Sequence, residues 1–446
     1  MRRLTPALIP PVLGSVLLTL LAAAGWFHTT VAPDTASYLA AAKAADPLGV
    51  SRLPLYGWAA GWMLAHAAPL LAWTQAAIFL GGAALLVASL QRIGLSQAAA
   101  SAMGIAIGAS TMLLLWVRDA VPEAAGHGFL FMGFAAALLA ADGALLWVLA
   151  AELAVTLAWA LVPGLLGFAV LLATLPLLLP TRRYVRRWAR ALLLLAALAA
   201  PAAGLVAWRT VHEGSPSIVS YGGFVMSGIG GLMLTPPLAA RLPTDQRAQA
   251  EAILAARTRL EQQRLSIPVP PNSRGARSFF SAALFYFDIM ARTYDSVVFQ
   301  AVEPTRLPGE TWPHFDRRLQ RLTIAIVRSA PGEYLAWVAG ASARLAGHAL
   351  ILNPVFILAF LTLLATLLWR RGAIPPAPPA AARDVPVLLA VSFLYVLGTG
   401  APIVLMTFPA ERYSDSASLM LAAWPILGVA RLFSAKPDRA PGRGSS

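Results

Sequence analysis

About ten apolar runs along the chain approach the roughly 20 residues that a helix needs to cross a bilayer. They are predicted at 7–26, 70–90, 98–116, 123–141, 145–161, 164–179, 191–208, 354–369, 385–406 and 418–433. Lipid offers no partner to an exposed peptide group, so runs of this length must be helical. The sequence therefore predicts an all-α polytopic membrane protein with about ten transmembrane helices.

The composition excludes several other classes of protein. The 446 residues are 58% hydrophobic and only 12% charged, about half of the charged share of soluble domains. Disordered chains, coiled coils and soluble enzymes need far more polar surface than this. The chain has no cysteine, which excludes disulfides, a thiol nucleophile and thiolate metal sites.

Basic residues in the short loops indicate the orientation of the predicted helices, because such residues concentrate on the cytoplasmic side. They are Arg2, Arg3, Arg92, Arg182, Arg183, Arg186, Arg187, Arg190, Arg370, Arg371, Arg383, Arg431, Lys436, Arg439 and Arg443. With the first run read as an uncleaved anchor, all of them lie inside and both termini are cytoplasmic. The net charge of +14 then reflects membrane topology and phosphate contacts, and no nucleic-acid partner is expected.

This topology leaves two long segments outside, 27–69 and 211–353, the second a large periplasmic segment between spans 7 and 8. The predicted divisions are a membrane module (1–210), the periplasmic segment, the last helices (354–433) and a tail (434–446). Within the periplasmic segment, 244–264 is typical of a charged helix with Thr244 as its N-cap. Residues 333–352 suit a helix on the membrane surface, and the Gly-rich 221–231 is predicted to be a flexible loop over the site.

The first outside segment carries a polar motif, APDTASYLAAA at 32–42, followed by SRLPLYGW at 51–58. A Pro-Asp-Thr sequence is typical of a helix start, so Asp34 is either only an N-cap or a reacting carboxylate. Residues 53–68 are too short to span and predict a half-inserted helix with Tyr56 near its start. The second outside turn, VRDAVPEAAGH at 117–127, places Arg118, Asp119 and Glu123 at a helix mouth, as a self-paired solvated turn or as part of a site.

These motifs resemble those of the C-type (GT-C) integral-membrane glycosyltransferases, near the aminoarabinose transferase and protein O-mannosyltransferase (glycosyltransferase family 39-like) branch. The shared features are a first span followed by Pro-Asp-(Ser/Thr)-x-x-Tyr-Leu, then Arg-x-Pro-Leu-Tyr, and a late FPAERY at 408–413. The resemblance covers the architecture of most of the chain, but its motifs cover only about 30 residues. Asp34 precedes Thr35 rather than Glu, and there is no Asp-x-Asp, which places the chain nearer the aminoarabinose-type branch.

The resemblance implies an enzyme of the bacterial inner membrane that transfers a sugar from a polyprenyl-phosphate donor to an acceptor hydroxyl on an envelope glycan, lipid or protein. It implies inversion at the sugar carbon, with Asp34 as base and Glu123, or alternatively Asp119, as a second acid. Arginine suits the leaving phosphate because it donates in pairs to phosphate oxygens. The predicted substrate-binding residues are Arg52, Tyr56, Arg118, Asp119, Arg344, His348, Arg412 and Tyr413. No metal site is predicted, and a divalent cofactor is left open.

Two other functions fit the same sequence. A transporter or flippase of a lipid-linked substrate would place acids and bases inside several spans and show repeat symmetry. This chain keeps nearly all its ionisable residues outside the predicted spans, with Glu152 the main exception. A non-catalytic assembly partner that has kept the fold is the third possibility.

Overall fold

A computed structural model describes residues 5–46, 52–141, 145–179, 184–214, 216–218, 221–263, 268–269, 271, 276–369 and 384–434. Over these residues the structure is all-helical, and a single backbone bridge joins Thr30 to Asp119. The helices are α1 (Ile9–Ala23), α2 (Thr35–Lys43), α3 (Leu55–His66), α4 (Ala68–Arg92), α5 (Gln97–Gly108), α6 (Glu123–Ala140), α7 (Leu145–Leu161), α8 (Phe168–Ala173), α9 (Leu175–Leu178), α10 (Tyr184–Glu213), α11 (Gly222–Met233), α12 (Pro236–Ala239), α13 (Thr244–Gln262), α14 (Ala276–Asp295), α15 (Trp312–Ser329), α16 (Pro331–Ile351), α17 (Pro354–Trp369), α18 (Asp384–Met406), α19 (Glu411–Ser418) and α20 (Ala423–Ser434).

All ten predicted spans fall on helical segments, but fewer than ten are long enough to cross a bilayer. Seven apolar helices in the described part of the chain have the required length, or eight if α16 and α17, bent by 71°, form one broken span. Helix α7 has 17 residues and so extends about 26 Å, short of the roughly 30 Å hydrocarbon core. The architecture is compatible with a polytopic membrane protein of seven or eight spans.

The predicted span at 164–179 is not one helix. It consists of a 3₁₀ turn at Pro163–Gly167 followed by α8 and α9. Pro163 and Pro176 lack the amide hydrogen that continues an α-helical ladder, and each stands in the first turn of a new segment. The run is as apolar as predicted, but its prolines divide it into several short helical segments.

Apolar side chains face outward around the helical bundle. From the N-cap Leu8 along α1, the exposed residues Leu8, Val12, Val16 and Leu20 recur every fourth position, which forms one continuous stripe along the helix. A soluble monomer rarely exposes an apolar surface of this extent. Lipid is therefore the solvent that suits the outside of this bundle.

Helix α6 lies at the centre of the bundle, since 83% of the residues in its membrane-spanning stretch are buried. It packs against α4 with direct contact between backbones: a Cβ on Gly82 would collide with the Gly128 carbonyl, and one on Gly128 would lie 2.6 Å from the Ile78 oxygen. Small residues permit such contacts between membrane helices. Because Glu123 is the first residue of α6, this contact also fixes the position of that carboxylate.

The end of the bundle that carries the segments 24–67 and 214–353 is called the outer end here. At the opposite end, the buried Asp384 accepts hydrogen bonds from the amide and hydroxyl of Ser96, at 2.9 and 2.6 Å, and lies 3.3 Å from Arg431. This cluster joins the N-cap of α5 and the first residue of α18 to α20. A buried carboxylate requires such partners to offset its desolvation.

Helices α11 to α16 form a second core at the outer end, built from Phe224, Tyr286, Phe315, Trp337 and their neighbours. Here the predicted loop at 221–231 is wrong, because Gly222–Met233 is the buried helix α11. Asp316 of α15 accepts a hydrogen bond from the Phe224 amide at 2.8 Å, and Arg257 of α13 donates to the Gly231 and Leu234 carbonyls at 2.9 and 2.6 Å. Each charge complements the helix end that it contacts.

The charged helix predicted at 244–264 is present as α13, with Ile253 and Leu260 buried on one face. Its first residue is Thr244 and its N-cap is Pro243, so the prediction of Thr244 as the cap is wrong. Pro243 has an extended ψ of 147°, so the helix begins at the residue that follows it.

Helix α16 lies across the outer ends of the spans. Tyr334 and Trp337, near its start, donate to the Leu405 and Val404 carbonyls of α18, both at 3.0 Å. Just beyond its other end, Asn353 donates to the Ser418 hydroxyl at 3.1 Å, next to the start of α17. Because α16 meets the last residues of α18 near its start and is bent by 71° from α17 at its other end, it runs across the outer ends of these helices, along the plane in which they end.

The contact between α4 and α6 predicts a large difference between two adjacent glycines. Gly82→Ala should lower the apparent melting temperature in detergent, because the new methyl group would force the two backbones apart. Gly81→Ala is the matched control, since a Cβ there meets nothing within 4 Å and gains up to about 1 kcal/mol of helix propensity. Equal melting temperatures for the two variants would contradict the close packing.

Asp316 predicts a pH dependence of stability. Burial raises the pKa of this carboxyl to about 6, despite the hydrogen bonds from Phe224 and Gly223. Since the folded pKa lies above the unfolded value of about 3.9, its stabilising contribution is complete below that value and is lost as pH rises through about 6. Asp316→Asn keeps the acceptor oxygen and should gain on the order of 2 kcal/mol over wild type near neutral pH. The apparent melting temperatures of the two proteins, measured against pH, should converge in acid; parallel curves would disprove this.

Candidate functional site

The first outside segment folds as the Pro-Asp-Thr motif predicts, but Thr35 makes the local hydrogen bonds. Its hydroxyl accepts from the Ala32 amide at 3.0 Å and donates to the Ala120 carbonyl at 2.8 Å, which ties the start of α2 to the second outside turn. Asp34 occupies the N-cap position without a capping hydrogen bond from its side chain. The interpretation of Asp34 as a cap alone is therefore not supported.

Arg52 is held between two aromatic rings. Its guanidinium carbon lies 4.5 Å from the centre of the Tyr38 ring and 4.8 Å from that of Tyr221. It also donates to the Tyr38 hydroxyl at 2.9 Å and lies 3.7 Å from the Asp34 carboxylate. Arg52 is 17% exposed and Asp34 33%, so the carboxylate stays accessible while the guanidinium is enclosed. We call these four residues the Arg52 clamp.

The clamp is continuous with a group of buried polar residues beneath it. The Tyr56 ring packs edge-on against Tyr38, with centroids 5.3 Å apart, and its hydroxyl lies 3.4 Å from the Gln75 side-chain oxygen. Gln75 in turn donates to the Val117 and Asp119 carbonyls at 2.9 and 2.8 Å. Glu123 is buried and sits close enough to Tyr38 and Tyr56 to act on both phenols.

The short helix α19 adds Tyr413 from the far end of the sequence. Tyr413 interacts electrostatically with Tyr38, Arg52 and Tyr221. The next residue, Ser414, lies 3.3 Å from the Nδ1 atom of His348 on α16. Asp415 accepts a hydrogen bond from the Trp116 indole at 2.9 Å. Helix α19 thus links the clamp to α16 and to the turn before α6.

The structure gathers some of the predicted site residues and separates others. Asp34, Arg52, Tyr56, Glu123 and Tyr413 belong to one cluster, and His348 borders it. Asp119 lies at the edge of the cluster. Its carboxylate accepts a hydrogen bond from the Thr30 hydroxyl and contributes to raising the pKa of Tyr56.

The other predicted arginines have different surroundings. Arg118 donates to the Trp26 carbonyl at 3.0 Å, just beyond α1, and Arg344 donates to the Phe287 carbonyl of α14 at 2.7 Å. Both of these guanidinium groups donate hydrogen bonds to backbone carbonyl oxygens. The side chain of Arg412 lies outside the described residues.

Sequence reasoning missed Tyr221, Gln75 and Asp415, and it used Tyr38 only as part of a motif. Tyr221 was passed over because the glycines that follow it suggested a loop, and Gln75 because it lies inside an apolar run. Two of them could be found from polar residues in an apolar context. These are a glutamine inside an apolar run and an aspartate two residues after the Arg-Tyr pair.

The phenols of this site stay protonated. Burial is the main reason that the pKa values of Tyr38 and Tyr56 lie far above the ordinary range, and the Glu123 carboxylate raises both further. Burial likewise raises the pKa of Tyr221. The cluster thus offers phenolic donors, one accessible carboxylate and one enclosed guanidinium. Nowhere in the described ranges do three or more His, Asp or Glu side chains come together as a metal site requires.

Comparisons of this chain with protein families, with curated proteins and with solved structures find no match. The chemistry of the cluster and the motifs in the sequence are therefore what point to a function.

The Arg52 clamp predicts a specific coupling between two distant segments. Tyr221→Ala removes one aromatic face and should cost about 0.5–2 kcal/mol, the range for a cation over a ring. The loss should appear as faster amide hydrogen exchange in α2, which carries Tyr38. Tyr221→Phe is the control, because it keeps the ring and removes only the hydroxyl. Unchanged exchange in the alanine variant would show that the clamp does not couple the segments.

Proposed function

We propose that this protein is a glycosyltransferase that moves a sugar from a polyprenyl-phosphate donor to an acceptor hydroxyl at the outer end of the bundle, as the GT-C-like motifs imply. The observation that carries the proposal is the pairing of Asp34 with Arg52. An accessible carboxylate and an enclosed guanidinium lie 3.7 Å apart, beside buried phenols, at the end of an apolar helical bundle. A base and a phosphate-binding cation are the two groups that this reaction needs.

In the proposed reaction, Asp34 accepts the proton of the acceptor hydroxyl as that oxygen bonds to the anomeric carbon of the sugar. The bond between this carbon and the phosphate oxygen breaks on the opposite face, and the configuration inverts. The electron pair leaves with the lipid phosphate, whose developing charge is stabilised by Arg52 and phenolic donors. Glu123, a buried carboxylate at the start of α6, is the proposed second acid that orients the acceptor or assists Asp34.

Arg52 has two tasks in this mechanism. Before the donor binds, its guanidinium lies 3.7 Å from the Asp34 carboxylate and offsets the charge of that group. When a phosphate binds, the guanidinium can share its hydrogen bonds with that anion, which frees Asp34 to accept a proton. The two aromatic faces keep the guanidinium plane in place during this exchange.

The lipid environment supports the choice of donor. A water-soluble sugar nucleotide would not require a site at the ends of apolar helices, whereas a polyprenyl phosphate has its reactive group at that level of the bilayer. The protein is accordingly proposed to lie in the bacterial inner membrane with its outer end in the periplasm.

The test uses native mass spectrometry and transfer assays on protein extracted gently from its own membrane. Wild type should retain a polyprenyl phosphate, and Arg52→Ala should lose it. Asp34→Asn should retain the lipid but transfer sugar about 10²–10⁴-fold more slowly, the usual range for loss of a catalytic base. Arg118→Ala is the control, because that guanidinium serves the Trp26 carbonyl.

Two results would contradict the proposal. One is the absence of any retained polyprenyl phosphate even after a C55 (55-carbon) polyprenyl phosphate is added; the other is unimpaired transfer by Asp34→Asn. Movement of a lipid-linked sugar across proteoliposomes without transfer to an acceptor would favour the transporter alternative.

A further inference from the structure

Helix α14 has apolar side chains on two faces. One face is buried against the outer-end core through Ala282, Tyr286 and Ile289. The opposite face carries Phe280, Leu284 and Phe287, which are 67%, 69% and 40% exposed. These three residues are spaced by four and three positions and so form a single stripe. We call them the α14 stripe.

The position of α14 follows from that of α16. A Cβ on Gly340 of α16 would come into contact with the Ala283 carbonyl of α14, and the Tyr286 and Trp337 rings pack with centroids 5.6 Å apart. Because α16 runs along the plane in which the spans end, α14 lies close to that plane too. The α14 stripe is therefore near the level where the bilayer meets water.

The surroundings of the stripe match this level. Arg344 of α16 lies over the Phe287 ring, 5.8 Å from its centre, and donates to the Phe287 carbonyl. A cation beside an aromatic ring is typical of the headgroup region, where the charge meets phosphates and the ring meets acyl chains. Leu350 and Ile351 at the end of α16 are also exposed apolar side chains.

We propose that the α14 stripe inserts into the leaflet at the outer end and holds the segment α11–α16 against the membrane surface. The occupant of the stripe is lipid. Three side chains at these exposures present roughly 300–400 Å² of apolar surface, below the roughly 800 Å² that each partner contributes to a stable protein interface. Interfacial helices, in contrast, bind lipid through stripes of this kind.

The absence of cysteine from the chain makes a direct test simple. Leu284→Cys is labelled with an environment-sensitive fluorophore in the full-length protein, which is then reconstituted into phosphatidylcholine vesicles. Quenching by doxyl-labelled lipid is compared with quenching by aqueous iodide. Thr258→Cys, exposed on the charged helix α13, is the matched control for a position in water.

We expect the Leu284 label to emit at shorter wavelength than the Thr258 label, to lose most of its emission with doxyl lipid, and to resist iodide. The Thr258 label should behave in the opposite way. Phe280→Cys, one turn away, repeats the measurement if the first variant does not fold. Iodide quenching at both stripe positions would overturn the proposal by placing the stripe in water. Protection from both quenchers would overturn it as well, because protein would then cover the stripe.

Discussion

Backbone contact between α4 and α6 is the constraint on which the arrangement of the outer end depends. In lipid, apolar side chains gain little by leaving one apolar neighbour for another, so helices associate through close fit. Gly82 and Gly128 provide that fit by removing side chains from the contact. The same contact positions Glu123 at the start of α6, where its charge acts on Tyr38 and Tyr56, and α4 supplies Gln75 to the turn that precedes α6. The position of the polar cluster is thus set from within the apolar bundle.

Charged side chains join elements that are distant in the sequence. Asp316 and Arg257 hold the two ends of α11, Asp384 joins three helices at the end opposite the site, and Arg52 bridges the two outer segments. Each of these groups is surrounded by several partners, as the cost of desolvating a charge requires. In this chain these few buried or enclosed charges lie at junctions between elements.

The helical class, most of the span positions and the start of α2 could be predicted from the sequence because they depend on local signals. Length and hydropathy identify a span, and Pro-Asp-Thr identifies a helix start. Helix α11 could not be predicted in this way: its five glycines and serine give a weak helical signal, and the helix is stabilised by Asp316 and Arg257, which lie later in the chain.

The candidate site shows the same division between local and distant information. Asp34 and Arg52 could be paired in advance because they share a short segment. The separation of Arg118 and Arg344 from that pair could not be, since it depends on which carbonyl oxygens the folded helices bring within reach. Tyr221 could not be identified for a related reason: its role depends on Arg52, which lies much earlier in the chain.

The Arg52 clamp also has a consequence for the order of events during synthesis. The ribosome completes Tyr38 and Arg52 long before Tyr221, and Tyr413 comes near the end. Until the later residues emerge, the Arg52 guanidinium has only one of its two aromatic faces, and the first outer segment lacks its link to the second core. The nascent chain therefore carries an incomplete cluster through most of its insertion. The cluster reaches its final form only when the last helices have been made.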